Sequence, residues 1–503
     1  MSHLTNLLIE GAVLFTSLGF IYTFGLCFYN VFLHPLRSYP GPLFSRASVF
    51  EYHRQCLKGR LPFWLHDLHK KYGPVVRYGP NEISFIEAAV WKDAYGHSQQ
   101  ATSFEKHKPF YGPDIFGSSP GLIRADNYSH GRQRRLASHA FSDKALKDQE
   151  GILKGYATML IDKLKEATQK NIDGKVDVVD FYNFTTFDIM ADLTFGEPLG
   201  LLEGAEFTPW VRTFFENLKL IQITFVLRAW PALQAMMNAM VPKSLMEKRK
   251  LHMKHTTDRV DKRLARKTER PDIWTYITRF SESEENKDKN LTESESYSNA
   301  GLFMSAGTET TATTLCGLTY FLLHNPEKLE RLKKEVREAF PTYDDIHMTQ
   351  LSQLEYLNAC IEEGLRMYPP VSMGLPRTAP KGGAEVGGHW VSEGTCVGLT
   401  HYAAYHSPSN FKDPDDYVPE RWLPEGQTEY GSDHKDVLQP FSYGPRNCLG
   451  KNLAWHEMRL ILTSVLWHYD LEFCPESEDW FKQDYYVLWK KPAMMVKLKS
   501  IRE

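Results

Sequence analysis

The first long apolar block runs from Gly11 to Leu33, 23 residues without a formal charge. As a helix it would extend about 35 Å, enough to cross a bilayer core. No Lys or Arg precedes it and Glu10 is acidic, so it lacks the basic leader of a cleaved signal peptide. Arg37 follows just beyond the run, and Pro35, Pro40, Gly41 and Pro42 break any helix and form a stiff hinge. The pattern predicts a membrane anchor over 1–34 and one body over 35–503. A peripheral hairpin or a targeting segment is the competing account.

The body reads as mainly helical. Phe141-Ser142-Asp143-Lys144 leads into a charged helical repeat through about Lys170, and Pro326-Glu327-Lys328 opens another with proline in the first turn. Short Val/Ile/Tyr runs at Tyr72–Ile86, the glycine-rich Gly382–Thr400 region and Tyr485–Leu498 read as strands or hairpins. The expected class is α+β, predominantly helical with small β-sheets. Ser281–Ser296, with six Asp or Glu among lysines and serines, reads as a solvated loop. Leu218–Trp230 holds only Lys219 and Arg228 as charges, and a Met-rich patch to Val241 follows Pro231. Core packing and contact with a membrane or an apolar substrate entrance both fit that segment.

Charge adds little to this picture. With 59 basic and 62 acidic residues the net charge is -3, which gives no basis for nucleic-acid binding. Seven cysteines, at 27, 56, 316, 360, 396, 448 and 474, form no CxxC pair, so neither a disulfide framework nor a four-cysteine zinc site is favoured. A reduced, cytosol-facing body fits best, which leaves the N-x-S/T matches at Asn127, Asn183 and Asn290 idle. Six of the cysteines read as ordinary buried thiols. Cys448 differs because of its neighbours.

Those neighbours are Phe441-x-x-Gly444-x-Arg446-x-Cys448-x-Gly450. A lone thiolate on a glycine-flanked loop, two residues after an arginine, suits one face of an anionic planar cofactor such as haem. With all five fixed positions present, the run resembles the haem-binding signature of the cytochrome P450 family. Two further elements occur in the family's order. Glu363-x-x-Arg366, which alone means little since Glu51 and Arg54 share its spacing, precedes Pro419-Glu420-Arg421-Trp422. Upstream of both, Ala306-Gly307-Thr308-Glu309-Thr310-Thr311 resembles the family's distal helix. The bland account of that run is threonines bonding back along a β-branched helix.

The resemblance implies a role for each residue. Cys448 is the thiolate iron ligand, Phe441 its shield from water, and Gly444 and Gly450 positions of close backbone approach. Arg446, Arg377, Arg134 and His130 become partners of the haem propionates. His130 stands where the family often has tryptophan, and is a group that would titrate near neutrality. A solvated basic helix accounts for Arg132. Ala306 and Gly307 form the groove above iron, with Thr310 and its acidic neighbour Glu309 delivering protons. Glu363, Arg366 and Arg421 make a buried structural ion network. Substrate-facing positions fall in Phe110–Arg124, at Phe303, Val371, Ser372, Met373 and Gly374, and at Tyr486 and Val487.

The implied whole is the cytochrome P450 fold carrying heme b (iron protoporphyrin IX). With O2 as cosubstrate, it would be a monooxygenase of a small apolar molecule. The start of the body and His139-Ala140-Phe141-Ser142 resemble fungal microsomal members that modify secondary metabolites. No flavin domain is expected after the terminal strand pattern, so electrons from NADPH would come through a separate NADPH-cytochrome P450 reductase, with cytochrome b5 as a second donor. The expected location is the endoplasmic reticulum membrane, single-pass, with a cytosolic catalytic domain. Two other classes share parts of the pattern. A haem-thiolate isomerase or dehydratase would need no external electrons, and a membrane-attached binding protein would leave the cysteine loop unexplained.

Overall fold

The computed structural model describes residues 2–97, 103–112, 119–171, 173–216, 218–266, 268–278 and 290–502. Its principal helices are α1 (Ser2–Phe28), α2 (Leu61–Tyr72), α3 (Asn127–Ser138), α4 (Asp143–Lys170), α5 (Val178–Phe195), α6 (Leu218–Arg228), α7 (Pro231–Met240), α8 (Lys243–Ala265), α9 (Glu293–Leu323), α10 (Pro326–Ala339), α11 (Glu355–Met367) and α12 (Lys451–His468). The strands are β1 (Val75–Arg77), β2 (Glu82–Phe85), β3 (Glu105–Lys106), β4 (Lys175–Asp177), β5 (Arg377–Thr378), β6 (Ala384–Val386), β7 (His389–Val391), β8 (Cys396–Leu399), β9 (Tyr469–Phe473), β10 (Tyr485–Tyr486), β11 (Leu488–Trp489) and β12 (Met495–Ser500). The α+β class, predominantly helical, is what the patterning predicts.

Local chemistry explains the boundaries. Ser142 caps α4 by accepting from the amide of Ala145, and Pro326 occupies the first turn of α10, where its missing N–H costs nothing. Thr292 and Glu295 form a reciprocal capping box at the start of α9. That box corrects the reading of Ser281–Ser296 as a loop: its last four residues are helical, and Glu295 is buried against Arg132 and Gln133. Residues 281–289 lie outside the described residues. Arg132 is accordingly no solvated helix residue, since it also donates to the Asn290 carbonyl at 2.7 Å.

Two packed regions position everything else. Helix α5 is buried along nearly its whole length and crosses α9, and these helices with α4, α11 and α12 form the main core. A Cβ on Gly307 would meet the Met190 sulfur at 2.7 Å, so the glycine is set by this helix crossing. A second core lies on the sheet ordered β1-β2-β8-β5-β3, in which only the β2/β8 pair is parallel. At its edge β3 pairs with β5, so that Lys106 stands opposite Arg377. A three-stranded sheet, β4-β12-β9, and two hairpins, β6-β7 and β10-β11, complete the architecture.

The N-terminal helix is apolar and unburied, and Thr5–Leu33 is long enough to cross a membrane. Its foot is tied to the body. Asn30 donates to the Ala47 carbonyl at 2.9 Å, and Arg46 donates to the carbonyls of Val31 and Arg37 at 3.2 and 2.7 Å. Helix α6 packs on one side and is open on the other: Leu218, Gln222 and Val226 are buried, whereas Leu220 and Ile221, and Trp230 just after the helix, are exposed. Helix α7 buries none of its side chains and exposes Leu233, Met236 and Met240.

Candidate active site

The cysteine loop is built by two close approaches. Cys448 donates its amide to the Phe441 carbonyl at 2.8 Å, closing the turn. Gly444, at φ 71°, lies so near Tyr95 that a Cβ would overlap the Tyr95 carbonyl oxygen. That contact, with the left-handed backbone, is why glycine is required there. Gly450 is different. Its φ is -87°, and among protein atoms a Cβ would touch only Phe141 at 3.8 Å. The Phe141 ring also packs on Phe303 of α9, centroids 5.7 Å apart, which joins the loop and the distal helix in one core.

Cys448 is enclosed by the fold, yet its side chain is accessible, and Ala306 is accessible in the middle of the otherwise largely buried α9. Burial pushes the Cys448 thiol up, while the Gly450 amide and the charges of Arg134 and Lys451 pull it down toward thiolate. Arg134 spends its fork on the loop itself, donating to the Asn447 carbonyl at 2.6 Å and to Asn447 Oδ1 at 2.5 Å. Phe441 is half-buried beneath the Lys451 ammonium, 5.8 Å from its ring centre.

Beside the loop lies a rim of cations with no carboxylate in direct contact, although Asp126 and Glu105 act on Arg446 from farther off. Arg446 donates to Ala125 O and Asn127 Oδ1, each at 2.8 Å, but its Nη1 is buried without a partner. Nη1 of Arg377 and the hydroxyl of Tyr111 are buried too, near enough for Arg377 to favour the phenolate but without a well-aligned hydrogen bond. Burial and the neighbouring Arg377 charge lower Arg446 to about 10. Lys106 is pushed well below its ordinary value by burial and by Arg377, Arg446 and Arg124. Among the described residues none of Lys106, Arg124, Arg377 or Arg446 forms an ion pair, a costly arrangement unless an anion completes it. Lys106 is the member that sequence reasoning missed, because only the β3/β5 register brings it to Arg377.

His130 is buried at this rim, and burial with the surrounding cations lowers it to about 3. Burial and those cations both disfavour the imidazolium, which argues against titration near neutrality. A cleft of about 540 Å³ runs past His130, Arg134, Pro445 and Arg446 to the surface. Among the described residues no group of three or more His, Cys, Asp or Glu side chains could hold a metal. An iron on Cys448 would take its remaining ligands from a cofactor. A macrocycle bearing carboxylates fits, since its acids would meet the orphaned donors of Arg377, Arg446 and Tyr111.

On α9, the Thr310 hydroxyl donates to the Ala306 carbonyl at 2.7 Å, leaving its oxygen lone pairs free to accept. Thr308, Thr311 and Thr314 bond back along the helix too, as the bland account of the run expects. Glu309 is fully buried on another face. It meets Lys491, a residue the motif does not reveal, and no hydrogen bond joins it to Thr310. Burial raises its carboxyl, opposed by Lys491. A second acid, Glu457 of α12, is buried near Thr311 and is pushed by burial up to about 8.

The three-residue network does assemble. Arg366 donates to Glu363 at 2.9 and 2.8 Å, and Arg421 to Glu363 at 3.1 Å, with all three side chains fully buried. Val418 N and Trp422 Nε1 add donors to the carboxylate, and Asp433 takes the other end of Arg421 at 2.5 Å. The paired charges hold the Glu363 carboxyl below its usual range despite burial.

The substrate-facing set divides. Phe303 and Met373 border the core clusters, and Val371 is half-buried. Ser372 is buried, its hydroxyl committed to the Pro369 carbonyl at 2.8 Å. Gly374 is required by overlap with the Leu399 carbonyl at φ 72°. Tyr486 is buried beside Gly59, whereas Val487 is exposed at φ 67°, a strained position for a β-branched residue. Phe110 packs on Phe225 of α6 at 5.6 Å. Residues 113–118 lie outside the described residues.

An accessible thiol enclosed by the fold, beside cations that no carboxylate pairs directly and on one core with a hydroxyl-bearing helix, fits the haem-thiolate class. The sequence matches the Cytochrome P450 family over residues 39–498. It is 46% identical over 472 residues to the cytochrome P450 monooxygenase efuB of Hormonema carpetanum, covering 93% of this chain and 92% of that protein. It is 43% identical over 480 residues to FUM2 of Gibberella moniliformis (94% and 100% covered), and 40% over 508 residues to lcsI of Purpureocillium lilacinum (100% and 96%), both cytochrome P450 monooxygenases. The chain belongs to the cytochrome P450 family, and it is a monooxygenase.

Proposed function

We propose that this monooxygenase inserts one oxygen atom of O2 into an apolar fungal secondary-metabolite intermediate. The balance is substrate, O2, NADPH and a proton giving hydroxylated product, water and NADP+. The observation that carries the reading is the interior thiol of Cys448 beside a rim of unpaired cations, on one core with the Thr310 hydroxyl. Heme b bound there would supply oxygen activation at a thiolate-ligated iron. Cys448 would hold the iron, and Arg377, Arg446 and Lys106 the propionates, with His130 a neutral donor. Arg134 keeps the ligand loop in place through Asn447.

The distal side follows from the hydrogen bonds. Because Thr310 gives its proton to Ala306, it faces the cavity as an acceptor and can orient a proton donor there. Phe303 and Met373 supply apolar surface and Phe110 packs the entrance against α6, a lining suited to a small apolar substrate.

Helices α6 and α7 expose apolar side chains as the anchor does, which supports a body seated on the cytosolic side of the endoplasmic reticulum membrane. Electrons would arrive from a membrane reductase using NADPH, with cytochrome b5 as a second donor. The test is the reduced carbon-monoxide spectrum of the purified full chain, followed by oxygen uptake with NADPH and reductase. We expect a thiolate-haem band and NADPH-dependent uptake. A spectrum without that band refutes the reading, and turnover without NADPH would assign an isomerase or dehydratase instead.

A further inference from the structure

Lys491 lies between β11 and β12, and its side chain is 3% exposed. Its ammonium contacts Glu309 Oε1 and donates to Thr313 Oγ1 at 2.9 Å, while Thr313 itself reaches Glu309 Oε1 at 3.4 Å. Glu309 Oε2 is buried without a partner. The carboxylate is thus held at one oxygen only, by a cation from a segment more than 180 residues downstream.

That segment is itself fixed. The Lys490 amide donates to the Asp484 carbonyl at 2.9 Å, closing the loop that contains the β10-β11 hairpin, and Trp489 Nε1 donates to the Pro369 carbonyl at 3.0 Å. The Trp489 ring stacks on Tyr368 at 4.9 Å, and Tyr368 bonds to Gln483 at 2.6 Å. The hairpin carrying Tyr486 and Val487 is therefore one rigid piece with the lysine that meets Glu309. The other titratable groups near the pair are Cys316 on α9, Tyr368 after α11, and Asp177 and Asp180 at the β4-α5 junction. Among the described residues Lys491 is the cation in contact with Glu309.

We propose that Lys491 is the positioning residue for Glu309: its ammonium holds the carboxylate on a face of α9 away from Thr310 and sets the pH at which that carboxylate takes up a proton. The role rests on the monooxygenase reading, because it matters where protons are delivered to bound oxygen. Burial alone disfavours the charged carboxylate and the nearby ammonium favours it, so removing the ammonium moves proton uptake to higher pH.

The test compares Lys491→Met, Lys491→Arg, Glu309→Gln and the double variant Lys491→Met/Glu309→Gln in the full-length holoenzyme. Infrared difference spectra at neutral pH give a readout independent of turnover. Lys491→Met should show the carbonyl stretch of a protonated carboxylic acid that the double variant lacks, and Lys491→Arg should not. The second readout is the fraction of consumed oxygen released as hydrogen peroxide, with NADPH and reductase and no organic substrate. Release as peroxide uses one NADPH per O2, and reduction to water uses two. The pH dependence of that fraction should move up by about one to three units in Lys491→Met, stay in place in Lys491→Arg and vanish in Glu309→Gln. If Lys491→Met does not load haem, Lys491→Gln replaces it, keeping a donor for Thr313 without the charge. No new acid band, or failure of arginine to restore the wild-type profile, overturns the assignment. A wild-type protein without the thiolate band refutes the monooxygenase reading, and the infrared comparison still decides Lys491.

Discussion

Two arginines with the same sequence relation to a glutamate should differ sharply in consequence. Arg366 donates twice to Glu363 and once each to the carbonyls of Tyr405, Pro414 and Asp416, at 2.6 to 2.9 Å, in a fully buried site. Arg54 donates twice to Glu51 at 2.7 and 2.6 Å, but its side chain is 41% exposed. In Arg366→Met the carboxylate loses one of its two cations and three carbonyls lose a donor. Breaking a buried pair costs about 3–5 kcal/mol, and a stranded buried acceptor about 1–3 kcal/mol. These terms overlap, so the expectation is about 5 kcal/mol, near the whole stability of a weak domain. Arg54→Met should leave stability almost unchanged, because water replaces its partner. The assay is the yield of haem-loaded full chain in detergent, with the urea midpoint of whatever folds. Arg366→Met should give little folded protein and Arg54→Met a normal yield. Equal losses from the two would refute the argument that burial, and not spacing, gives the Glu363 pair its weight. The double variant Glu363→Gln/Arg366→Met should recover part of the loss, since no buried charge is left stranded.

Cys448→Ser should abolish the thiolate-haem spectrum, and a preserved band would show that another group binds the iron. Gly444→Ala should lower haem loading through left-handed backbone and overlap with Tyr95, whereas Gly450→Ala should load normally; similar spectra from both would remove the steric account. Glu457, raised by burial from 4.5 to about 8, contributes stability that is fully present below pH 4.5 and is lost as pH rises through 8. The urea midpoint of Glu457→Gln, compared with wild type across that window, should therefore fall less steeply with rising pH. Parallel curves would mean that Glu457 is ionised in the folded protein.

What could be read in the sequence was what is local. The α4 boundaries follow from Ser142 as cap, the α10 start from Pro326, and the cysteine loop from five residues within ten positions. What escaped depends on contacts between distant segments. Lys106 reaches the cation rim through the register of two-residue strands, Asp433 joins Arg421 and Trp422 joins Glu363, both through folded loops. Lys491 meets Glu309 across the core. Gly307 shows the converse: a motif position whose packing against Met190 is a physical reason that the motif does not reveal.

The bonds at the foot of the N-terminal helix have a geometric consequence. Asn30 and Arg46 fasten that helix to the first turns of the body within a few residues of its end, leaving no slack tether. In a bilayer the body could not tumble like a float on a string; it would ride at one height and one tilt, with the exposed sides of α6 and α7 always presented at the same depth. The concentration that governs turnover would then be the amount of substrate dissolved in the lipid per unit area, and capture would be a search in two dimensions.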